Sequence, residues 1–111
     1  MVLGLDGLPF SLARKLGSSG RFPNLARLSL APHTRPIQAE LPELSPVNWT
    51  SFFTASGPER HGVFGFTAID PKTYQLSITD FTRVQAPTIF DRLGQRGLMS
   101  KEIGRASCRE R

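Results

Sequence analysis

Two oxygen-bearing side chains stand where this sequence could do chemistry. Asp6 closes the apolar run Val2-Leu3-Gly4-Leu5 and is followed by Gly7. If that run is a buried strand of an open α/β sheet, Asp6 lies at its carboxyl end, where sites form. Gly7 would then let backbone pass close to whatever the carboxylate holds. A carboxylate there can bind a cation, but it serves equally well as a turn or cap residue before a helix. Spacing alone divides the two readings evenly. Ser45 is the second candidate. In Leu44-Ser45-Pro46 the serine suits a helix N-cap and the proline the first helical position. A hydroxyl there lies beside unsatisfied backbone N–H groups and the positive end of the helix dipole. That setting favours a phosphate and, with a metal alongside, an alkoxide. On spacing alone a plain cap is the commoner explanation. Asn48, three residues on, is near enough along the first turn to donate to the same anion, or else faces solvent.

The remaining candidates are fewer. His33 and His61 are the two histidines, and they do not form a pair at metal spacing. His61 falls in Gly57-Pro58-Glu59-Arg60-His61-Gly62, and a lone histidine in a loop is usually structural or exposed. No glycine-rich phosphate loop of the P-loop or dinucleotide type occurs. A metal site is therefore half encoded: Asp6 and Ser45 offer one oxygen each, where zinc takes about four ligands.

The elements that must position these residues can be read from punctuation and period. Pro9 opens a short helix whose apolar face is Phe10, Leu12, Ala13 and Leu16, with Gly17 and Gly20 ending it. Phe22-Pro23-Asn24 opens a second helical piece carrying Leu25 and Leu28. Thr34 to Ala39 reads as extended, although Pro32 and Pro36 keep it from being a central strand. Trp49, Phe52 and Phe53 form an apolar stripe, predicting a helix over 46–55 that Gly57-Pro58 stops. Residues 58–73 read as loop. Tyr74 to Thr79 alternates, as a half-exposed strand does. Thr88 to Leu93 reads as a helix closed by Gly94 or Gly97, with Leu98-Met99 starting another strand. Alternating strands and helices, the first strand apolar throughout, predict an α/β fold with a mostly parallel sheet flanked by helices. Residues 1–101 supply too few crossovers to complete such a core.

Composition narrows the function classes. The 111 residues are 39% hydrophobic and 21% charged, as in an ordinary globular protein. No apolar stretch approaches the length of a membrane span. Asp6 interrupts what would otherwise resemble a signal-peptide core, which favours a cytoplasmic protein. The net charge is +5, but the basic residues are singles apart from Arg14-Lys15. No run of them makes a nucleic-acid arm. Residues 102–111 stand apart. Glu102-Ile103-Gly104-Arg105-Ala106-Ser107-Cys108-Arg109-Glu110-Arg111 lacks hydrophobic period and, read back into codons, resembles a common sequencing-adapter oligonucleotide. It is read as adapter-derived and not native, leaving 1–101 as the native segment. Removing it takes away three Arg, two Glu and the single cysteine, so 1–101 carries +4 and no disulfide argument survives.

Three stretches, in order, resemble the type I phosphodiesterase/nucleotide pyrophosphatase branch of the alkaline phosphatase superfamily. The first is Val2 to Gly7, followed by Arg21-Phe22-Pro23-Asn24-Leu25-Ala26-Arg27-Leu28. The second runs from Leu44-Ser45-Pro46-Val47-Asn48-Trp49-Thr50-Ser51-Phe52-Phe53-Thr54 to Gly57-Pro58-Glu59-Arg60-His61-Gly62-Val63-Phe64-Gly65-Phe66. The third and weakest is Ala86-Pro87-Thr88-Ile89-Phe90-Asp91-Arg92-Leu93. The resemblance implies an N-terminal part of a catalytic domain that hydrolyses phosphodiester or pyrophosphate bonds. Its substrate would be a small phosphorylated molecule such as a nucleotide, and its cofactors two divalent metal ions, usually zinc. Asp6 would ligate one metal. Ser45 would be the nucleophile, touching the same metal and passing through a phosphoseryl intermediate. Asn48 would contact the phosphoryl oxygens, and His61-Gly62 would be a structural turn. Ala55-Ser56 departs from the pattern, since the family usually has glycine directly after the threonine. The remaining ligands, several Asp and His, would follow later in a longer chain, so 1–101 alone is expected to be inactive.

Rival readings stay close to that scaffold or leave catalysis altogether. Sulfatases, phosphoglycerate mutases and phosphonate hydrolases share the superfamily; a sulfatase needs a modifiable Cys or Ser in a different local pattern. A binding domain that kept the fold but lost the downstream ligands is a second rival. A small basic nucleic-acid binder is the third, disfavoured by scattered charge.

Overall fold

The computed structural model describes residues 2–103, so most of the adapter-like segment lies outside the described residues. The chain divides into two compact units, one ending at Gln38 and one beginning at Ala39.

The first unit is a helical hairpin. Helix α1 (Phe10–Gly17) follows Pro9, which stands at the N-cap with its carbonyl accepting from the Ala13 N–H at 2.9 Å. Helix α2 (Pro23–Ser29) has Pro23 in its first turn, a position that needs no N–H donor. Gly20, with φ of 75°, makes the reversal between them. The two helices pack at small residues: a Cβ added to the buried Gly17 would lie 2.5 Å from Ser29 Oγ and 3.1 Å from Ala26 Cα. Ser29 Oγ is itself buried without a hydrogen-bond partner.

The second unit is built around helix α3 (Ser45–Thr54), which packs on helix α4 (Pro58–His61) and helix α5 (Ile89–Gln95). Its enclosed side chains are Val47, Val63 and His61. On α3 the buried line is Val47, Thr50 and Thr54. The two threonines enter the interior because their hydroxyls donate back to carbonyls one turn earlier, Pro46 at 2.6 Å and Thr50 at 2.7 Å. The predicted aromatic stripe lies beside this line. Phe53 joins Trp49 (5.9 Å between centroids, stacked), Phe81 (6.4 Å) and Phe90 (5.3 Å), while Phe52 is largely exposed. Helix α5 starts in a full capping box: the Thr88 hydroxyl accepts from Asp91 N–H, and the Asp91 carboxylate accepts from Thr88 N–H. Gly97, with φ of 71°, follows its end.

Strand β1 (Thr67–Ile69) pairs antiparallel with β2 (Leu76–Ile78), in the register Thr67 to Ile78, Ala68 to Ser77 and Ile69 to Leu76. The turn between them is held by Asp70. Its carboxylate accepts from the N–H groups of Lys72 (2.8 Å) and Thr73 (3.2 Å), and these hold its carboxyl below the ordinary range. Alternation puts Ile69, Leu76 and Ile78 on one face with Thr67, and all four are exposed. A 3-10 turn at Phe81–Arg83 leads on toward α5.

Several expectations are corrected. The architecture is mixed helix and strand, as a segment of an α/β domain would be, but the expected mostly parallel sheet is not formed among the described residues. Val2–Leu5, Thr34–Ala39 and Leu98–Met99 are irregular, and Val2, Leu3 and Met99 are each more than two-thirds exposed. A strand exists only when another lies alongside it, and a parallel partner has to be delivered by a crossover of a dozen or more residues. None of the three finds one. Residues 58–73 are not loop throughout: they contain α4 and β1. Helix α3 begins at Ser45 itself, with Leu44 as N-cap (φ −113°, ψ 140°), one residue earlier than Ser45-as-cap implies. None of the described helices is long and apolar enough to cross a membrane.

Candidate functional site

Ser45 and Asn48 share the first turn of α3, and both are half-buried. The turn is shaped by three local features. Leu44 is extended and gives its carbonyl to the Asn48 N–H at 3.0 Å. Pro46 contributes no N–H, and Leu44 at the N-cap makes no side-chain cap bond. The positive end of the α3 dipole therefore lies at Ser45 without an acidic residue in the first turn to offset it. Helix α3 presents Ser45 where an anion is electrostatically welcome.

Asn48 does more than border this turn. Its Oδ1 accepts from the Glu40 N–H at 2.9 Å and its Nδ2 donates to the Leu44 carbonyl at 3.1 Å. Only this orientation of the amide satisfies both neighbours, since an N–H must meet oxygen and a carbonyl must meet N–H. The side chain thus ties the segment before α3 to the helix. One of the two Nδ2 hydrogens is engaged with Leu44, and the amide carries a second for another acceptor.

Asp6 belongs to the other unit. It is exposed, and Gly7 after it has φ of 69°, a left-handed conformation that glycine adopts without a Cβ penalty. Ser45 and Asn48 lie in the second unit, and Asp6 in the first. Among the described residues there is no cluster of three or more His, Cys, Asp or Glu able to hold a metal ion. Asp6 and Ser45 are chemically suited to a hard or borderline cation, each as an oxygen donor, but two donors are about half of what zinc takes.

His61 is the residue whose surroundings sequence reasoning left unspecified. It is fully buried, with Nε2 3.0 Å from Ser51 Oγ and Nδ1 accepting from the Val63 N–H at 3.1 Å. Burial pushes its imidazole below the usual 6.5, and the carboxylates of Glu59 and Glu40 partly oppose that. Both ring nitrogens are engaged, so it offers no lone pair to a metal. His33 is exposed.

A shallow depression of about 120 Å³, lined by Thr54, Ser56, Arg60 and Arg92 among others, lies at the opposite end of α3 from Ser45. A ten-residue helix spans about 15 Å, so this hollow and Ser45 are separate places.

Beside Thr54, Ala55 closes α3 in the left-handed region, with φ of 51° and ψ of 40°. The residue that closes α3 is left-handed, a conformation that glycine takes without a Cβ penalty and alanine does not.

No curated protein and no solved structure matches the chain. A family model does: the type I phosphodiesterase/nucleotide pyrophosphatase model matches residues 1–108. The match runs through both Asp6 and the Ser45 turn, and on it the chain belongs to the type I phosphodiesterase/nucleotide pyrophosphatase family.

Proposed function

We propose that this chain carries the nucleophile half of a metal-dependent phosphoester hydrolase acting on phosphodiester or pyrophosphate bonds. The family points to that class of hydrolysis. The observation that supports the finer reading is the first turn of α3, which sets a serine hydroxyl and an amide donor at the N-terminal end of the helix. In this reading the Ser45 Oγ attacks phosphorus, the leaving alcohol or phosphate departs, and water hydrolyses the phosphoserine. Asn48 donates its second Nδ2 hydrogen to a phosphoryl oxygen, held in aim by its bonds to Glu40 and Leu44. The dipole of α3 stabilises the negative charge that gathers there.

Two divalent metal ions, zinc in most of the family, complete the proposal. Asp6 would hold one of them and Ser45 would reach the same one; the ions lower the nucleophile's pKa and neutralise phosphoryl charge when bound. The other ligands would come from outside the described residues. The substrate would be a small phosphorylated molecule such as a nucleotide.

The test is turnover of a chromogenic phosphodiester by a longer catalytic domain that contains this chain. Ser45→Ala should reduce kcat by about a thousandfold or more, and a chelator should abolish activity until zinc is restored. Retained turnover in Ser45→Ala would remove Ser45 from the chemistry. Turnover by residues 1–101 alone, lost on Ser45→Ala, would show that the described residues suffice.

A further inference from the structure

His61 joins three segments. Its ring meets α3 through Ser51 Oγ (3.0 Å) and the following turn through the Val63 N–H (3.1 Å). Its carbonyl accepts from the Gln85 N–H at 3.0 Å, and its own N–H donates to the Gly57 carbonyl at 3.1 Å. The side chain is 0% exposed, so no water substitutes for a lost partner. These contacts settle the tautomer. Nδ1 accepts from a backbone N–H and must carry its lone pair, so the proton of the neutral ring is on Nε2, and the imidazole donates to the Ser51 hydroxyl.

We propose that His61 is a proton-sensitive clasp: its neutral, Nε2-protonated ring ties α3 to the turn over 57–63, and proton uptake at Nδ1 releases Val63 and opens that contact.

A second proton can go only to Nδ1. It would set a ring N–H against the Val63 N–H inside a site closed to water, so the cation and the closed turn exclude each other. The charged groups facing the ring are the carboxylates of Glu59, on α4, and Glu40, in the segment leading to α3. Both favour the cation, and burial outweighs them. Ser51 on α3 and the main chain of Val63 and Gln85 are neutral. The folded pKa thus lies below the unfolded one, and the unfolded chain binds more protons between the two. The clasp's stabilisation is complete above about pH 6.5 and is lost as pH falls through the folded pKa. None of this depends on Ser45 acting as a nucleophile.

Imidazole and amide NMR of the full 111-residue chain, titrated from about pH 7.5 downward, tests the proposal. The expected result is an Nε2–H tautomer at neutral pH, a midpoint below 6.5, and a Val63 amide resonance that moves with that midpoint. In Ser51→Ala the Val63 coupling should persist, while the Nε2 proton exchanges faster with solvent. In His61→Gln the fall of thermal midpoint between about pH 7 and 5.5 should shrink. An Nδ1–H tautomer, a midpoint at or above 6.5, or a Val63 amide indifferent to the titration overturns the clasp. Should His61→Gln not fold, the tautomer and the Val63 amide of the native chain decide the question.

Discussion

Replacing Asn48 by Asp changes one NH2 for one oxygen and so isolates the donor half of the amide. The native Oδ1 accepts from Glu40 N–H at 2.9 Å, and a carboxylate would do so at least as well. The other side of the amide is where the damage falls. Nδ2 donates to the Leu44 carbonyl at 3.1 Å, and an oxygen there faces an oxygen. Losing that bond and leaving repulsion in a half-buried place costs about 2–3 kcal/mol. The new charge sits in the first turn of α3, where the dipole returns about 0.3–1 kcal/mol. The net penalty is then about 2 kcal/mol. Asn48→Ala should be milder, about 1 kcal/mol, because Glu40 is exposed and its N–H turns to water, while Leu44 keeps the backbone bond from the Asn48 N–H. Trp49, the single tryptophan, adjoins the site, so urea unfolding followed by its emission reports the change. With a slope near 1 kcal/mol per molar urea, the midpoints should fall by about 2 M for the aspartate variant and about 1 M for the alanine variant. Acid supplies a second signature. The introduced carboxyl has its folded pKa raised by the Leu44 carbonyl, so the folded state binds the extra proton and the penalty shrinks as pH drops through that pKa. An aspartate variant as stable as the native chain, or more stable than the alanine variant at neutral pH, would refute the clamp described for Asn48.

Four further outcomes follow from the local structure. Ala55→Gly should stabilise the chain by about 0.5–1 kcal/mol in thermal unfolding, since relief of the left-handed strain exceeds the added flexibility of the unfolded glycine. Gly17→Ala should destabilise by about 1 kcal/mol despite its better helix propensity, because the new methyl meets Ser29 Oγ and the Ala26 backbone. Ser29→Ala should be neutral or stabilising, as the hydroxyl is buried without a partner, and it should rescue part of Gly17→Ala in a double mutant followed by far-ultraviolet CD. Thr88→Ala breaks the capping box and should cost about 1 kcal/mol, seen as fraying of α5 in amide exchange.

The sequence spoke clearly wherever structure is local. Helices α1, α2 and α5 were legible because proline and glycine bracket each apolar period within a few residues. Ser45 and Asn48 could be paired because i and i+3 share a helical turn. Strand pairing is a different matter, since it is decided by distant residues. Val2–Leu5 has the composition of a buried strand but stays irregular, and Thr67–Ile69, hidden among glycines and prolines, is paired because Leu76–Ile78 folds back on it. The burial of His61 was illegible for the same reason: its partner Ser51 lies ten residues earlier, across a chain reversal. The family pattern made the Ser45 turn stand out, whereas spacing alone left it a plain cap.

The exposed face of the β1–β2 ribbon, with Ile69, Leu76 and Ile78 each more than half exposed, governs how this chain behaves as a colloid. Three aliphatic side chains on a two-stranded ribbon favour contact between molecules. What opposes that contact is the net charge of +5, acting at long range. In about 0.01 M salt the charge is felt over roughly 30 Å, and in about 1 M salt over about 3 Å. Added salt should therefore lower the solubility of this chain, and dilute buffer should keep it dispersed.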